Sequence, residues 1–292
     1  MNRSKKKTSR WRREQLYLGI FFILLICFLV IFNFLWQRAR ASIWDGSSRI
    51  GIVTFEKEEL DLTVMLPKQK KIVSFKLPFN TLVEAPFGFG EYQLGNIYNL
   101  GKLENEGGKL LMKTIQNNFG VFVSGFKVMG KSNLTWWDIL RITWYESMVA
   151  DKRKVVNLVN EQVLEEGNLA DETKVLRIKT LLLDELINHE LFDEKLLAEE
   201  LEIAVLNASG GEGVAFNLSR LIRNIGGDVT VVSNLDVIEK SIIQINTEQN
   251  LKSYTVEVLA SIFNIKKIEL VENNQFRADV MVLIGKDYLS LR

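Results

Sequence analysis

The sequence predicts an α+β protein in three parts: an N-terminal transmembrane helix, a middle α/β region and a C-terminal sandwich of βαββαβ order. Three observations predict it. Residues 16–36, LYLGIFFILLICFLVIFNFLW, form an apolar run with Asn33 as its only polar side chain, about the length a helix needs to cross a bilayer core. Residues 50–55, 60–66 and 71–77 are short β-rich runs parted by turn-forming or charged residues, the opening of a sheet. Residues 201–287 alternate strand and helix patterns, an order that places helices on one face of a sheet.

The flanks of the first run set its orientation. Arg3, Lys5, Lys6, Lys7, Arg10, Arg12 and Arg13 precede it, and only Arg38, Arg40 and Arg49 follow closely. Positive charge stays on the cytoplasmic side, so residues 1–15 are expected as a cytoplasmic basic tail, 16–36 as the membrane span and 37–292 as extracytoplasmic. Trp11, Trp36 and Trp44 flank the span, where amphipathic rings favour the headgroup level. The run exceeds the roughly 7–15 apolar residues of a signal peptide. A retained anchor is therefore expected despite the Ala39-Arg40-Ala41 that follows it. The expected localisation is single-pass in the cell membrane, with the lipid bilayer as one partner.

Composition narrows the rest. Beyond the anchor the chain holds 30 basic and 35 acidic residues, so no basic surplus is available to neutralise phosphates and no nucleic-acid partner is expected. Cys27, the only cysteine, lies inside the predicted span, which leaves the exported part without a disulfide and fits a bacterial envelope protein with a self-sufficient core. The single histidine, His189, sits in the polar stretch DELINHELFDE and is expected to be solvated; a histidine-based zinc site or a Ser-His-Asp triad has little material.

Further along, Pro78 and Pro86 bracket FNTLVEA, expected as a loop, and FGFGEYQLGN (87–96) as a turn region. KLLMKTIQNNFG (109–120) predicts a helix ending at Gly120, and VFVSGFKVM (121–129) a strand. Thr135-x-x-Asp138 is a capping box at the head of the helix WWDILRITWYESMV. Its aromatic residues, Trp136, Trp137, Trp144 and Tyr145, are expected to bury into the core. Helices are also expected around 152–165 and 172–187, the second from Val175, Ile178, Leu182, Leu183 and Leu186 at helical spacing. LEIAVL runs through the turn NASGGEG into a helix bearing Val214, Leu218, Leu221, Ile222 and Ile225, stopped by Gly226-Gly227. The glycines of that turn match neither GxGxxG nor a P-loop and predict a tight strand-to-helix turn rather than a phosphate cradle.

The last unit, residues 200–292, resembles the LytR C-terminal domain of LytR–CpsA–Psr envelope proteins. Val205-Leu206-Asn207-Ala208-Ser209-Gly210 with Gly213-Val214-Ala215, and Ala278-Asp279-Val280 through Leu283-Ile284-Gly285-Lys286-Asp287, carry the likeness. The middle region, residues 45–195, resembles a divergent LytR–CpsA–Psr (LCP) catalytic domain through LDLTVML, Pro78-Phe79-Asn80-Thr81 and Ser124-Gly125-Phe126. That family transfers glycan polymers from polyprenyl-pyrophosphate carriers to the cell wall. Yet Phe79 stands where the family has arginine, Asn80 where it has an acid, and Glu59 where a second arginine would precede Asp61. Asp138-Ile139-Leu140-Arg141-Ile142 echoes the family's basic helix without its arginine pair. A pyrophosphate leaving group needs fixed positive charge and a carboxylate-held metal, and phenylalanine supplies neither.

The sequence accordingly predicts a membrane-anchored, extracytoplasmic envelope protein that binds or scaffolds in cell-wall assembly and is not an enzyme. Its partners would be cell-wall polymer or envelope proteins. No catalytic, cofactor-binding or metal residue is assigned, and no cofactor is expected. The alternative is an LCP-type phosphotransferase using Asp61 for metal and Arg141 or Arg153 for phosphate.

Overall fold

The computed structural model describes residues 17, 19–30, 33, 42–56, 58–272 and 275–289. Residues 19–30 are helical (α1) with exposed side chains. The basic tail and residues 16, 18, 31, 32 and 34–36 of the predicted span lie outside the described residues. Among those described, no helix is long and apolar enough to cross a membrane.

The rest is a mixed α+β fold built on three sheets. The first comprises β1 (Ile50–Glu56), β2 (Glu59–Leu66), β3 (Lys71–Pro78), β6 (Gly125–Val128), β7 (Lys131–Ser132) and β8 (Arg153–Asn157), ordered β7-β6-β1-β2-β3-β8. The three predicted strands are its centre, paired antiparallel with Asp61 opposite Thr54 on one side and Lys76 on the other. Because side chains alternate along a strand, Leu60, Leu62, Val64 and Leu66 of β2 enter the main apolar core. Met65 turns to a smaller core with Ile50, Ile52, Ile72 and Tyr145, and Asp61 and Thr63 share Met65's side. Gly51 has a specific reason to be glycine: a Cβ there would stand 2.1 Å from the Phe122 carbonyl oxygen.

Two expectations fail in and beside the second sheet, which comprises β4 (Thr81–Ala85), β5 (Gly90–Gln93), β9 (Leu164–Asn168) and β10 (Lys174–Ile178) in the order β5-β4-β10-β9. The loop expected between Pro78 and Pro86 is β4, with Thr81, Leu82, Val83 and Ala85 all buried. Its prolines end the neighbouring segments and leave five residues free to pair. Nor are residues 152–165 helical: β8 adds parallel to β3, where the β-branched pair Val155-Val156 is favoured. The 172–187 segment divides into β10 and α5 (Thr180–Leu191).

Between these sheets run α2 (Ile97–Leu103) and α3 (Gly107–Phe119), the latter ending as predicted at Gly120 in the left-handed region, φ 61°. The strand expected over 121–129 is ordered as a ladder only at β6. Helix α4 (Trp136–Met148) begins with the predicted capping box, Thr135 accepting from the Asp138 amide and Asp138 from the Thr135 amide.

The third sheet, reached through α6 (Glu194–Leu197), contains β11 (Glu202–Asn207), β12 (Asp228–Asn234), β13 (Ile242–Ile245), β14 (Ile268–Leu270) and β15 (Val280–Ile284) in the order β12-β11-β15-β13-β14. Helices α7 (Val214–Asn224) and α8 (Tyr254–Phe263) separate its strands, and α9 (Lys286–Leu289) follows them. The order is βαββαββ, one strand more than the predicted βαββαβ. Ile203, Val205, Ile243, Val280 and Val282 pack with both helices in the main core, and Ala204, Leu206, Met281 and Leu283 face loops bearing Leu235, Ile238 and Phe276. The helices therefore lie on one face, as the pattern predicts. Each fully buried Ile, Val or Leu contributes about 1.5–3 kcal/mol relative to exposure.

Candidate functional site

Asp61 occupies a central strand and is 2% exposed. Its Oδ1 accepts from Thr63 Oγ1 at 2.9 Å, and its Oδ2 lies 2.9 Å from Lys76 Nζ. Register explains the pair, since Asp61 and Lys76 are direct cross-strand partners. Ser74 Oγ lies 3.0 Å from Thr63 Oγ1 and accepts from Arg153 Nη2 at 3.0 Å. Arg153 is 4.0 Å from Asp61 and 3.5 Å from Glu146 of α4, and Lys76 is 3.6 Å from Glu59. Asp61, Arg153 and Glu59 are thus brought together on the sheet face that carries α4. The carboxylate is closed by an ammonium and a hydroxyl, so a metal would have to displace Lys76. Among the described residues no group of three or more His, Cys, Asp or Glu is arranged to hold a metal.

Arg141 stands apart from this cluster. Its guanidinium donates to Ser42 Oγ at 3.0 Å and to the Trp44 carbonyl. Asp138 converges on the same segment: Ser42 Oγ and the Trp44 amide both donate to its Oδ1, while Thr135 donates to its Oδ2. Burial by itself raises the Asp138 pKa, but hydrogen bonds from Ser42, Thr135 and Trp44 outweigh it and hold the carboxyl below the usual range. The two residues that echo a basic phosphate-gripping helix therefore clasp residues 42–44 onto α4.

Phe79, expected from the resemblance to stand at an arginine position, is a partly buried ring packed on the main core. It lies 4.8 Å from the Phe55 ring, and a Cβ on Gly95 would meet its Cβ at 2.8 Å. Asn80 accepts the Leu176 amide through its backbone carbonyl, tying β4 to β10. The aromatic helix, in turn, does not bury as expected: Tyr145 does, at 8% exposure, whereas Trp136 is 42% and Trp144 67% exposed. Tyr145 faces the sheet, its hydroxyl donating to the Leu66 carbonyl at 3.1 Å; the tryptophans named lie on the far side of the helix.

An open groove of about 1390 Å³ lies between α3, the 122–126 segment and the end of α8, with α9 at its rim. Phe87, Phe89, Phe122 and Phe126 give it apolar walls, and Arg49, Lys109, Lys113 and Arg141 are its basic groups beside Asp45, Glu104 and Glu106. Lys113 Nζ sits 3.6 Å from the centre of the Tyr288 ring, and burial lowers its pKa from the usual 10.5 to about 7. Tyr288 is fixed by Gln116, which donates to its hydroxyl at 2.6 Å. Sequence reasoning missed this trio. Lys113 reads as one polar position of an amphipathic helix, and nothing local signals a tyrosine from the far end of the chain.

Other motifs resolve as the sequence predicts. The Gly210–Gly213 turn is closed by Asn207, which donates to the Gly211 carbonyl at 2.8 Å and accepts from Ser209 Oγ at 2.6 Å. His189 has a side chain 77% exposed and touches Glu190 through Nδ1 at 3.0 Å.

No protein-family model matches the sequence, and no curated protein matches it. Solved structures do resemble the chain. TagT bound to LIIa-WTA is similar at 10% identity and TM-score 0.40, covering 48% of this chain and 89% of that one. The LytR-CPS2A-psr family protein YwtF (TagT) with bound octaprenyl pyrophosphate lipid is similar at 12% identity and TM-score 0.35, over 49% and 89%. A transcriptional regulator from Enterococcus faecalis is similar at 8% identity and TM-score 0.38, over 62% and 88%. Superpositions this loose, at these identities, establish neither family nor activity.

Proposed function

We propose that this chain is a membrane-anchored, extracytoplasmic envelope protein that binds or scaffolds at the cell wall without transferring polymer itself. In this reading residues 16–36 span the membrane, residues 45–195 are a divergent LCP-like domain and residues 200–292, resembling the LytR C-terminal domain, are the interaction module. One observation carries it: Asp61, the carboxylate that a metal-dependent transferase would need, is closed by Lys76 and Thr63; the partly buried Phe79 at the arginine position of the resemblance agrees with it. A buried carboxylate already paired with an ammonium is a structural ion pair, and releasing it for a metal leaves Lys76 to its longer contact with Glu59 at 3.6 Å.

The competing reading, a phosphotransferase acting on polyprenyl-pyrophosphate-linked polymer, draws on a different observation. Arg153 stands within 4.0 Å of Asp61, so two of its three candidate residues do meet. Mass spectrometry of lipid and glycan co-purifying with the detergent-extracted full chain separates the two. The scaffold reading expects peptidoglycan fragments or protein partners without polyprenyl lipid. Recovery of a polyprenyl phosphate or pyrophosphate, with transfer activity abolished by Asp61→Asn, overturns it.

A further inference from the structure

Helix α4 is amphipathic in an unusual sense. Its buried side is made by Asp138, Tyr145 and the partly buried Arg141 and Ile142. Its opposite side exposes Trp136, Ile139, Leu140, Trp144 and Met148, each at least 42% accessible. The remaining exposed positions of the helix are Thr143 and Ser147, so no charged residue stands within the stripe; Glu146, its side chain 36% accessible, lies at the flank and is paired with Arg153 at 3.5 Å. Trp136, Leu140, Trp144 and Met148 fall four residues apart and make one continuous stripe. An ordinary surface helix turns charged residues to water and its apolar stripe to the core; here the apolar stripe faces out, and apolar surface so grouped marks an interaction site.

The chain itself indicates what meets that stripe. Ser42 and Trp44 are hydrogen-bonded to Asp138 in the first turn of α4, and Arg141, one turn on, holds the same segment. From Trp36, the last residue of the predicted span, to Ser42 is six residues, a reach of at most about 20 Å even fully extended. Helix α4, itself 13 residues and so about 20 Å long, is thereby kept within about 20 Å of the surface from which the anchor would emerge. Ile43, in the clasped segment, is 40% exposed. Uncharged tryptophan-rich surface at that level suits the headgroup region, where indole rings partition.

We propose that the outer face of α4 lies in the headgroup region of the bilayer, so that the body is docked on the membrane rather than suspended from it. The docking rests on residues 16–36 being the anchor, and the experiment tests both separately. The full chain is reconstituted in phosphatidylglycerol–phosphatidylcholine vesicles and spin-labelled at one cysteine at a time. The native Cys27 reports the anchor; L140C and W144C, in a C27S background, report the stripe; L181C, at a residue 85% exposed on α5, is the aqueous reference. Collision with oxygen, which concentrates in lipid, is compared with collision with a water-soluble nickel chelate. Docking is expected to raise the oxygen-to-nickel ratio at positions 140 and 144 severalfold above that at 181. Ratios equal to that at 181, with Cys27 in lipid, overturn the docking and leave the anchor standing. A Cys27 label in water overturns the anchor and the docking together. Loss of both collisions at 140 and 144 with spin–spin broadening shows a second copy of the chain on the stripe and also overturns it.

Discussion

The side-chain amide of Asn224 donates to the carbonyl of Gly120 at 3.1 Å, and a methyl group on Gly120 would come within 2.4 Å of that same nitrogen. The contact closes the C-terminal end of α3 against α7. Arg220, one turn before Asn224, completes it by donating to the Asn117 and Asn118 carbonyls at 2.8 and 3.1 Å while gripping Asp184 with Nε at 2.8 and 2.7 Å. A cation and an amide thus meet the unsatisfied carbonyls of a helix end, where the helix dipole favours positive charge.

Gly120→Ala is expected to destabilise the fold by about 1–3 kcal/mol, because φ is positive there and the new methyl collides with Asn224. Asn224→Ala removes the collision but not the backbone strain, so in urea titrations the double variant should lose less than the sum of the two single ones.

Asp138→Ala should cost about 2–4 kcal/mol, since it removes the N3 half of the capping box and leaves the Trp44 amide without its acceptor, while Ser42 keeps only the Trp44 carbonyl. The wild-type contribution follows pH with a definite sign. The folded carboxyl titrates below its usual 3.8, so its stabilisation is fully present above that value and lost as pH falls through the lower folded pKa. Limited proteolysis between residues 41 and 50 should accelerate in the variant.

Lys113 carries the opposite linkage. Its pKa falls from 10.5 to about 7 on folding, so between those values the unfolded chain binds more protons and stability rises with pH. Lys113→Met should be more stable than wild type at pH 6, with the gap narrowing from pH 7 to 10.5. Chemical denaturation across that range reads it directly.

Asp61→Ala should destabilise by about 3–5 kcal/mol, the cost of stranding one member of a buried ion pair, reduced in so far as Glu59 at 3.6 Å takes over Lys76. A scaffold keeps its binding partners in this variant once the temperature is lowered to keep it folded, and pull-down of the co-purifying partner measures that.

Local signals carried much of the fold. The β1–β3 meander was legible because its β-rich runs are parted by turn-forming or charged residues, the α4 cap because Thr135 and Asp138 stand three apart, and the end of α3 because Gly120 follows it. Residues 152–178 were misread for a physical reason. Val175, Ile178, Leu182, Leu183 and Leu186 satisfy a helical spacing even though β10 ends at Ile178, and only pairing with β4 and β9 decides the strand. The closure of Asp61 by Lys76 depends on the register of β2 with β3, which hydrophobic pattern does not specify to the residue for polar partners. The groove was illegible altogether, since Gln116 and Tyr288 lie 172 residues apart.

The clasp at Asp138 also decides how a load would travel. Ser42, Ile43 and Trp44 all reach one carboxylate, and Ile50, where β1 begins, lies further along the chain. Tension applied at the N-terminal end arrives at α4 first and strains these hydrogen bonds before it tugs on the β1 ladder with β2 and β6. The central sheet is thereby mechanically shielded. Stretching should show a small early yield, as residues 42–49 come free, well before the body itself gives way.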